Sequence, residues 1–69
     1  MTETETLQYE HDSVLSSART DATTTMTRLY ADPPRLNEAL ASAAELQSRI
    51  LTAICLRELT AALTHEATQ

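Results

Sequence analysis

Two histidines are the first residues to consider as sites of chemistry, because imidazole serves both metal binding and proton transfer. His11 and His65 lie near opposite ends of the 69-residue sequence. Glu10 and Asp12 flank His11, but adjacent residues point in different directions around a helix and do not converge on one ion. We therefore expect solvated polar side chains at both histidines and no metal site.

The remaining reactive side chains lack the neighbours that catalysis requires. Cys55 stands between Ile54 and Leu56 with no base nearby, which predicts a packed apolar side chain rather than a nucleophile. The chain has no Gly for a phosphate-binding loop and no Lys for a Schiff base. The sequence therefore predicts a protein that is not an enzyme and binds no cofactor.

Charge and hydropathy limit the partners. Ten acidic residues against five Arg give a net charge of −5, which disfavours binding to phosphate backbones and anionic membranes. The most apolar run, residues 50–56, contains Thr52 and is shorter than the roughly 20 residues of a membrane span. The acidic N-terminus is unlike a signal peptide, and a single cysteine suits a reducing compartment. We expect a cytoplasmic protein that binds neither nucleic acid nor membrane.

The longest predicted element is a helix over about residues 34–65, which contain no helix-breaking residue after Pro34. At 1.5 Å per residue it forms a rod about 48 Å long. Its apolar residues recur three, four or seven apart, which is typical of one helix face. They are Leu36, Leu40, Ala43, Ile50 and Ile54. We expect this stripe to face the first helix.

A first helix is predicted over about residues 13–31, with Asp12 or Ser13 as its cap; the alternative is a helix that starts near Thr4. Residues 1–6 alternate Thr with Glu and are expected to be frayed or disordered. The Thr-rich segment from Thr20 to Thr27 is poor helix material, since each β-branched residue costs up to about 0.7 kcal/mol relative to Ala.

Asp32-Pro33-Pro34 separates the two segments, because proline ends a helix before it and suits the first turn of a helix after it. A turn this short, at residues 32–33, makes the helices antiparallel. The fold class predicted is all-α, an antiparallel helical hairpin over residues 7–66, with Leu29 beside Leu36 and Leu15 near Ile50. Its core is thin, so we expect a hetero-oligomer or a homodimer.

A second row of leucines, spaced three and four apart, occupies the other side of the long helix. It consists of Leu56, Leu59 and Leu63. If the first helix begins at Ser13, the long helix projects beyond it from about Ala53, and these leucines are left uncovered. We therefore predict a partner-binding surface made of this row with Ile50 and Ile54 nearby.

This layout resembles the small needle-subunit co-chaperones of type III secretion, the YscE, PscE and SsaE group. The most similar stretch is AELQSRILTAI at residues 44–54, following Asp32-Pro33. The resemblance implies a bacterial cytoplasmic protein that contributes to virulence. It would stabilise a helical-repeat chaperone, and that pair would hold the needle subunit as a monomer before export.

Three other functions fit the same pattern. A needle or inner-rod subunit is also a small helical hairpin, but it would polymerise on its own. A homodimeric four-helix bundle with a regulatory role would need no second protein. A small phage or antitoxin-type inhibitor would be revealed by its gene neighbourhood.

Overall fold

A computed structural model describes residues 2–67 and shows two α-helices, α1 (Glu3–Leu29) and α2 (Leu36–Ala67), with no strand in that range. The helices pack against each other in opposite directions and form a thin slab, with Cα extents of 57 × 17 × 11 Å. The slab has two broad faces, to each of which both helices contribute. The predicted all-α helical hairpin is confirmed.

The first helix starts ten residues earlier than the Ser13 start that we preferred, and Glu3 begins it. The Thr2 hydroxyl oxygen accepts a hydrogen bond from the Glu5 backbone N–H at 3.1 Å, and acidic side chains at Glu3 and Glu5 suit the positive end of the helix dipole. Residues 3–6 are therefore helical rather than frayed. The sequence signal for this start is Thr followed three residues later by Glu, which is a capping box.

The Thr-rich segment of α1 is continuous helix despite its low propensity. Its hydroxyl groups donate hydrogen bonds to the backbone carbonyl four residues earlier, at 2.8–3.3 Å. The residues that do so are Thr20, Thr23, Thr25 and Thr27. These bonds satisfy the hydroxyl groups within the helix. Packing against α2 stabilises the segment and compensates for its low helix propensity.

Residues 30–35 connect the helices. The Arg35 backbone N–H donates to the Arg28 carbonyl oxygen at 3.0 Å, which closes the turn. The long helix begins at Leu36, two residues later than predicted. Asp32 consequently lies within the turn and is exposed, instead of capping α2.

The contact between the helices, which we call the seam, is formed by residues spaced alternately three and four apart on each helix, as in an antiparallel coiled coil. On α1 these are Thr4, Leu7, His11, Val14, Ala18, Asp21, Thr25 and Arg28; on α2 they are Ala39, Ser42, Leu46, Arg49, Ala53, Leu56, Thr60 and Leu63. Half of them are polar. The most buried are small, with Ala18 at 6% and Ala53 at 4% exposure, so the helices approach closely.

The α2 stripe that we expected to face α1 lies outside the seam. Leu36, Leu40, Ile50 and Ile54 are all exposed. The prediction was wrong because it followed the larger apolar side chains, whereas the helices pair along the stripe that carries the small buried residues Ala39 and Ala53 and the Arg49 that meets Asp21. Cys55 is likewise exposed rather than packed, because it lies on the side of α2 away from α1.

Candidate functional site: an apolar broad face

Two polar contacts across the seam fix how the helices are aligned. The Arg49 Nε donates to Asp21 Oδ2 at 2.6 Å. Seven residues further along α1, the Arg28 guanidinium donates to the Ser42 hydroxyl and, at 3.2 Å, to the Glu38 carbonyl oxygen. Ser42 likewise precedes Arg49 by seven residues along α2. The antiparallel helices therefore keep the same register over this length.

The far end of the hairpin is covered by α1. Leu7 and Leu63 line one shallow groove there, and both Leu56 and Leu63 are partly buried in the seam. Because α1 begins at Glu3, the long helix does not project beyond it from Ala53. The argument that an overhang leaves Leu56 and Leu63 uncovered therefore fails.

One broad side of the slab, which we call the apolar face, carries most of the large apolar side chains. Its residues are Leu15, Ala22, Met26, Leu29, Leu36, Leu40, Ala43, Ile50 and Ile54. Both helices contribute to each of two shallow grooves on it: Leu29 with Leu36 in one, and Leu15 with Ile50 in the other. These are the two residue pairs that the sequence predicted to be neighbours, but they lie on the surface.

The opposite broad side, which we call the polar face, is composed mainly of Ser, Thr and Glu. Its residues are Glu10, Ser13, Ser17, Thr24, Ala41, Glu45, Ser48, Thr52 and Leu59. Leu59 follows Ile50 by nine residues, which is two and a half helical turns, and therefore points the other way. Its exposure of 48% nearly equals the 49% of Ile54, so the two residues form a matched pair on opposite faces.

The structure thus distributes the five predicted partner-binding residues among three places. Ile50 and Ile54 lie on the apolar face, Leu59 lies on the polar face, and Leu56 and Leu63 lie in the seam. They do not form one surface. Sequence analysis did not predict that α1 contributes to the apolar face. The α1 residues of this face are Leu15, Ala22, Met26 and Leu29. Their spacing of three, four or seven residues was the signal in the sequence.

Charges are also divided between the faces. Arg57 lines the groove that contains Leu15 and Ile54, and no side chain among residues 2–66 is paired with it. Glu10 and Glu45 belong to the polar face. The apolar side is not free of other charges, because Arg19 and Asp12 precede Met26 by seven and fourteen residues and therefore lie on the same side of α1.

The titratable residues considered at the outset make local contacts. His11 Nδ1 lies 3.4 Å from Asp12 Oδ1, and the Gln8 side-chain amide donates to the same oxygen at 3.1 Å. No group of three His, Cys, Asp or Glu side chains in the described part of the chain is placed to hold a metal ion. Asp12 is exposed, but His11 belongs to the seam and its side chain is only 18% exposed, so the expectation of a solvated histidine is wrong at this position.

The segment Leu36–Glu66 of α2 is long and apolar enough to cross a membrane, by length and composition alone. The sequence analysis did not identify this segment, because it considered only uninterrupted apolar runs. Core helices of soluble proteins can have the same length and composition. Only 17% of its most apolar stretch is buried in the hairpin, so most of this apolar surface is exposed.

No family model, curated protein or solved structure matches this chain. The geometry of the two faces is therefore the basis for assigning a function.

Proposed function

We propose that this protein is a small adaptor without enzymatic activity that binds a helical protein through its apolar face. The observation that carries the proposal is the segregation of exposed Leu, Ile and Met to one broad side of a two-helix slab. Contiguous exposed apolar surface is costly in water and marks interaction sites in native proteins. A flat pair of helices is suited to packing against further helices by ridges into grooves.

The solvent-accessible area of the chain is larger than that of a compact monomer, which supports a missing partner. The chain exposes 5358 Å², whereas a compact monomer of its mass exposes about 4,300 Å². The difference of about 1,000 Å² is close to the roughly 800 Å² that each partner buries in a standard protein–protein interface. One partner covering the apolar face would bring the chain near the usual surface for its size.

Protein fits this face better than lipid. A hairpin inserted across a membrane would place the Glu and Ser side chains of the polar face in hydrocarbon, at about 2.5–3.5 kcal/mol for each central acidic group. A hairpin lying on a membrane would gain nothing from anionic headgroups, since its net charge is −5 and it has no Lys. We therefore propose a cytoplasmic location.

The resemblance to type III secretion co-chaperones supplies a specific setting for such an adaptor. In that setting the partner is a helical-repeat chaperone, and the pair keeps a polymerisation-prone needle subunit monomeric before export. A marginal hairpin with an uncovered apolar face would gain stability from the complex by mass action. The same binding would cover apolar surface on the chaperone.

The test is co-purification of the tagged chain from its native host, with identification of the proteins retained. We expect a helical-repeat protein to be retained by the wild-type chain and by Leu59→Asp, but not by Ile54→Asp. The two variants introduce the same charge at positions of nearly equal exposure on opposite faces. Retention by Ile54→Asp, or loss with Leu59→Asp alone, would refute the assignment of the face.

Two further measurements test for membrane binding and for self-polymerisation. Flotation with lipid vesicles detects membrane binding, and negative-stain microscopy of the purified chain detects filaments. The adaptor assignment predicts neither vesicle binding nor filaments. Filament formation would instead identify a needle or inner-rod type of subunit.

A further inference from the structure

We infer that the partner covers the apolar face with two helices, one packed along α1 and one packed along α2, so that the complex contains a four-helix bundle. This inference rests on the proposed function and specifies the kind of partner that the face fits. It is carried by the position of the apolar residues relative to the seam. The charged residues on the same side of the hairpin then define what the partner carries.

On both helices, residues of the apolar face directly follow residues of the seam. Ile54 follows Ala53 on α2, and Met26 follows Thr25 on α1. Since seam residues alternate three and four apart, the residues after them form a second stripe with the same spacing, which we call the plus-one stripe. On α1 it consists of Gln8, Asp12, Leu15, Arg19, Ala22, Met26 and Leu29; on α2 it consists of Leu40, Ala43, Gln47, Ile50, Ile54, Arg57 and Ala61, and Leu36 extends it toward the turn. A helix packs along another helix with this spacing.

The direction of the plus-one stripes indicates two partner helices rather than one. Successive residues are about 100° apart around a helix axis, so each plus-one stripe points about 100° away from the seam. In a four-helix bundle each helix contacts two neighbours at about 90° to each other, whereas one helix lying between α1 and α2 would require about 60°. Because α1 and α2 are antiparallel, both plus-one stripes lie on the same side of the hairpin. Each stripe therefore accepts a partner helix of its own.

The polar face is built in the same way but lacks the apolar side chains. Its residues directly precede residues of the seam, so they have the same spacing. Leu59 is the only large apolar side chain among the residues that define the polar face, whereas seven of those that define the apolar face are Leu, Ile or Met. The hairpin is therefore suited to pack against further helices on one side only.

Charged residues occupy the end of the plus-one stripes that lies away from the turn. Asp12 and Arg19 belong to the α1 stripe, and Arg57 belongs to the α2 stripe. Glu58 lies on the same side of α2, because it follows Leu40 by eighteen residues, which is five helical turns. From Ala22 to Leu29 on α1 and from Leu36 to Ile54 on α2, the plus-one stripes contain no charged residue.

The two arginines at this end are available to a partner. Arg19 and Arg57 are exposed, and neither side chain is paired within the part of the chain that the structure describes. Asp12, in contrast, accepts a hydrogen bond from the Gln8 side-chain amide at 3.1 Å. We therefore expect partner helices that are apolar near the turn and carry charges of opposite sign at the other end, with an acidic residue opposite each arginine and a basic residue opposite Glu58.

Photo-crosslinking tests the number of partner helices. The probe is the full-length chain with p-benzoylphenylalanine at one position, expressed in its native host, and mass spectrometry identifies the crosslinked residues of the adduct. Met26 and Leu40 are suitable positions on α1 and α2, since they are 51% and 68% exposed. We expect both positions to crosslink the same protein at two different helices. Thr24 and Ala41 on the polar face are matched controls that should give little or no adduct, and circular dichroism checks that each variant stays helical.

Charge reversal tests the end of the face away from the turn. With p-benzoylphenylalanine at position 40, Arg19→Glu and Arg57→Glu should each lower the adduct yield about threefold or more. Arg35→Glu makes the same change in net charge at an exposed position beside the turn, and it should leave the yield within about twofold.

Crosslinks from positions 26 and 40 to one helix of the partner would overturn this inference and leave the adaptor function in place. Equal yields after all three charge reversals would likewise overturn the assigned charges of the partner. If neither position gives an adduct with another protein, or if the adduct contains only a second copy of the chain, the proposed function is overturned as well.

Discussion

The Nε atom of Arg49 lies 2.6 Å from Oδ2 of Asp21, and this ion pair joins the two helices near the middle of the seam. The two side chains are 39% and 22% exposed, so the pair is partly shielded from water. It aligns α1 with α2, and that alignment decides which residues of each helix share a broad face. The apolar face therefore depends on a polar contact.

The first prediction concerns the strength of this ion pair. A double-mutant cycle with Asp21→Asn and Arg49→Met should give a coupling energy of about 1 kcal/mol in urea unfolding, since hydrogen bonds to charged groups are stronger than neutral ones. The control is Arg35 with Glu38, which are 65% and 55% exposed and should couple by under about 0.5 kcal/mol. Equal coupling for the two pairs would show that the seam does not depend on Asp21 and Arg49.

The second prediction concerns the close approach of the helices. Ala53→Leu adds a branched side chain at a position that is 4% exposed, and overpacking should cost about 1–3 kcal/mol of unfolding free energy. Ala44→Leu makes the same change at an exposed position of the same helix and should stay within about 0.5 kcal/mol. If both variants unfold at the wild-type urea concentration, the seam does not pass through Ala53.

The third prediction compares how much Leu63 and Leu59 of α2 contribute to the stability of the free chain. Leu63→Ala removes apolar contact at the seam beside Leu7 and should destabilise the free chain by about 1–2 kcal/mol, less than a fully buried leucine would. Leu59→Ala on the polar face should cost under about 0.5 kcal/mol. Thermal unfolding of the free chain distinguishes them, and a larger loss at Leu59 would contradict the orientation of α2.

The fourth prediction concerns the start of α1. Thr2→Ala removes the oxygen that accepts from the Glu5 backbone N–H, and loss of such a cap typically costs about 1 kcal/mol. Thr23→Ala removes a hydroxyl that bonds within its own helix, and the better helix propensity of Ala should make this change neutral or stabilising. Amide hydrogen exchange should quicken near Glu5 in the first variant only.

The sequence was sufficient to predict two helices, their antiparallel direction and the break at Asp32-Pro33, because these follow from local periodicity and proline geometry. It was not sufficient to choose the stripe that forms the seam. The long helix carries two candidate stripes, and the one with Ile50 and Ile54 is more apolar than the one with Arg49 and Ala53. Only matching both helices, so that Asp21 meets Arg49, distinguishes them.

The same ambiguity explains why the predicted partner-binding residues do not lie on one surface. Hydropathy assigned the most apolar stripe to the core and the remaining leucines to a partner. In the structure the mixed stripe pairs within the chain, and the most apolar stripe is left exposed. Small and polar residues occupy much of the seam, and larger apolar side chains such as Leu40 and Ile54 are therefore left exposed.

We propose that the apolar face, and not the polar face, contacts another protein in the cell. Photo-crosslinking with p-benzoylphenylalanine at Leu40 or at Ala41 tests it most directly, because these adjacent exposed positions lie on opposite faces. The account predicts an adduct with a heterologous helical protein from position 40, and little or none from position 41. An adduct of equal or greater yield from position 41 would contradict it.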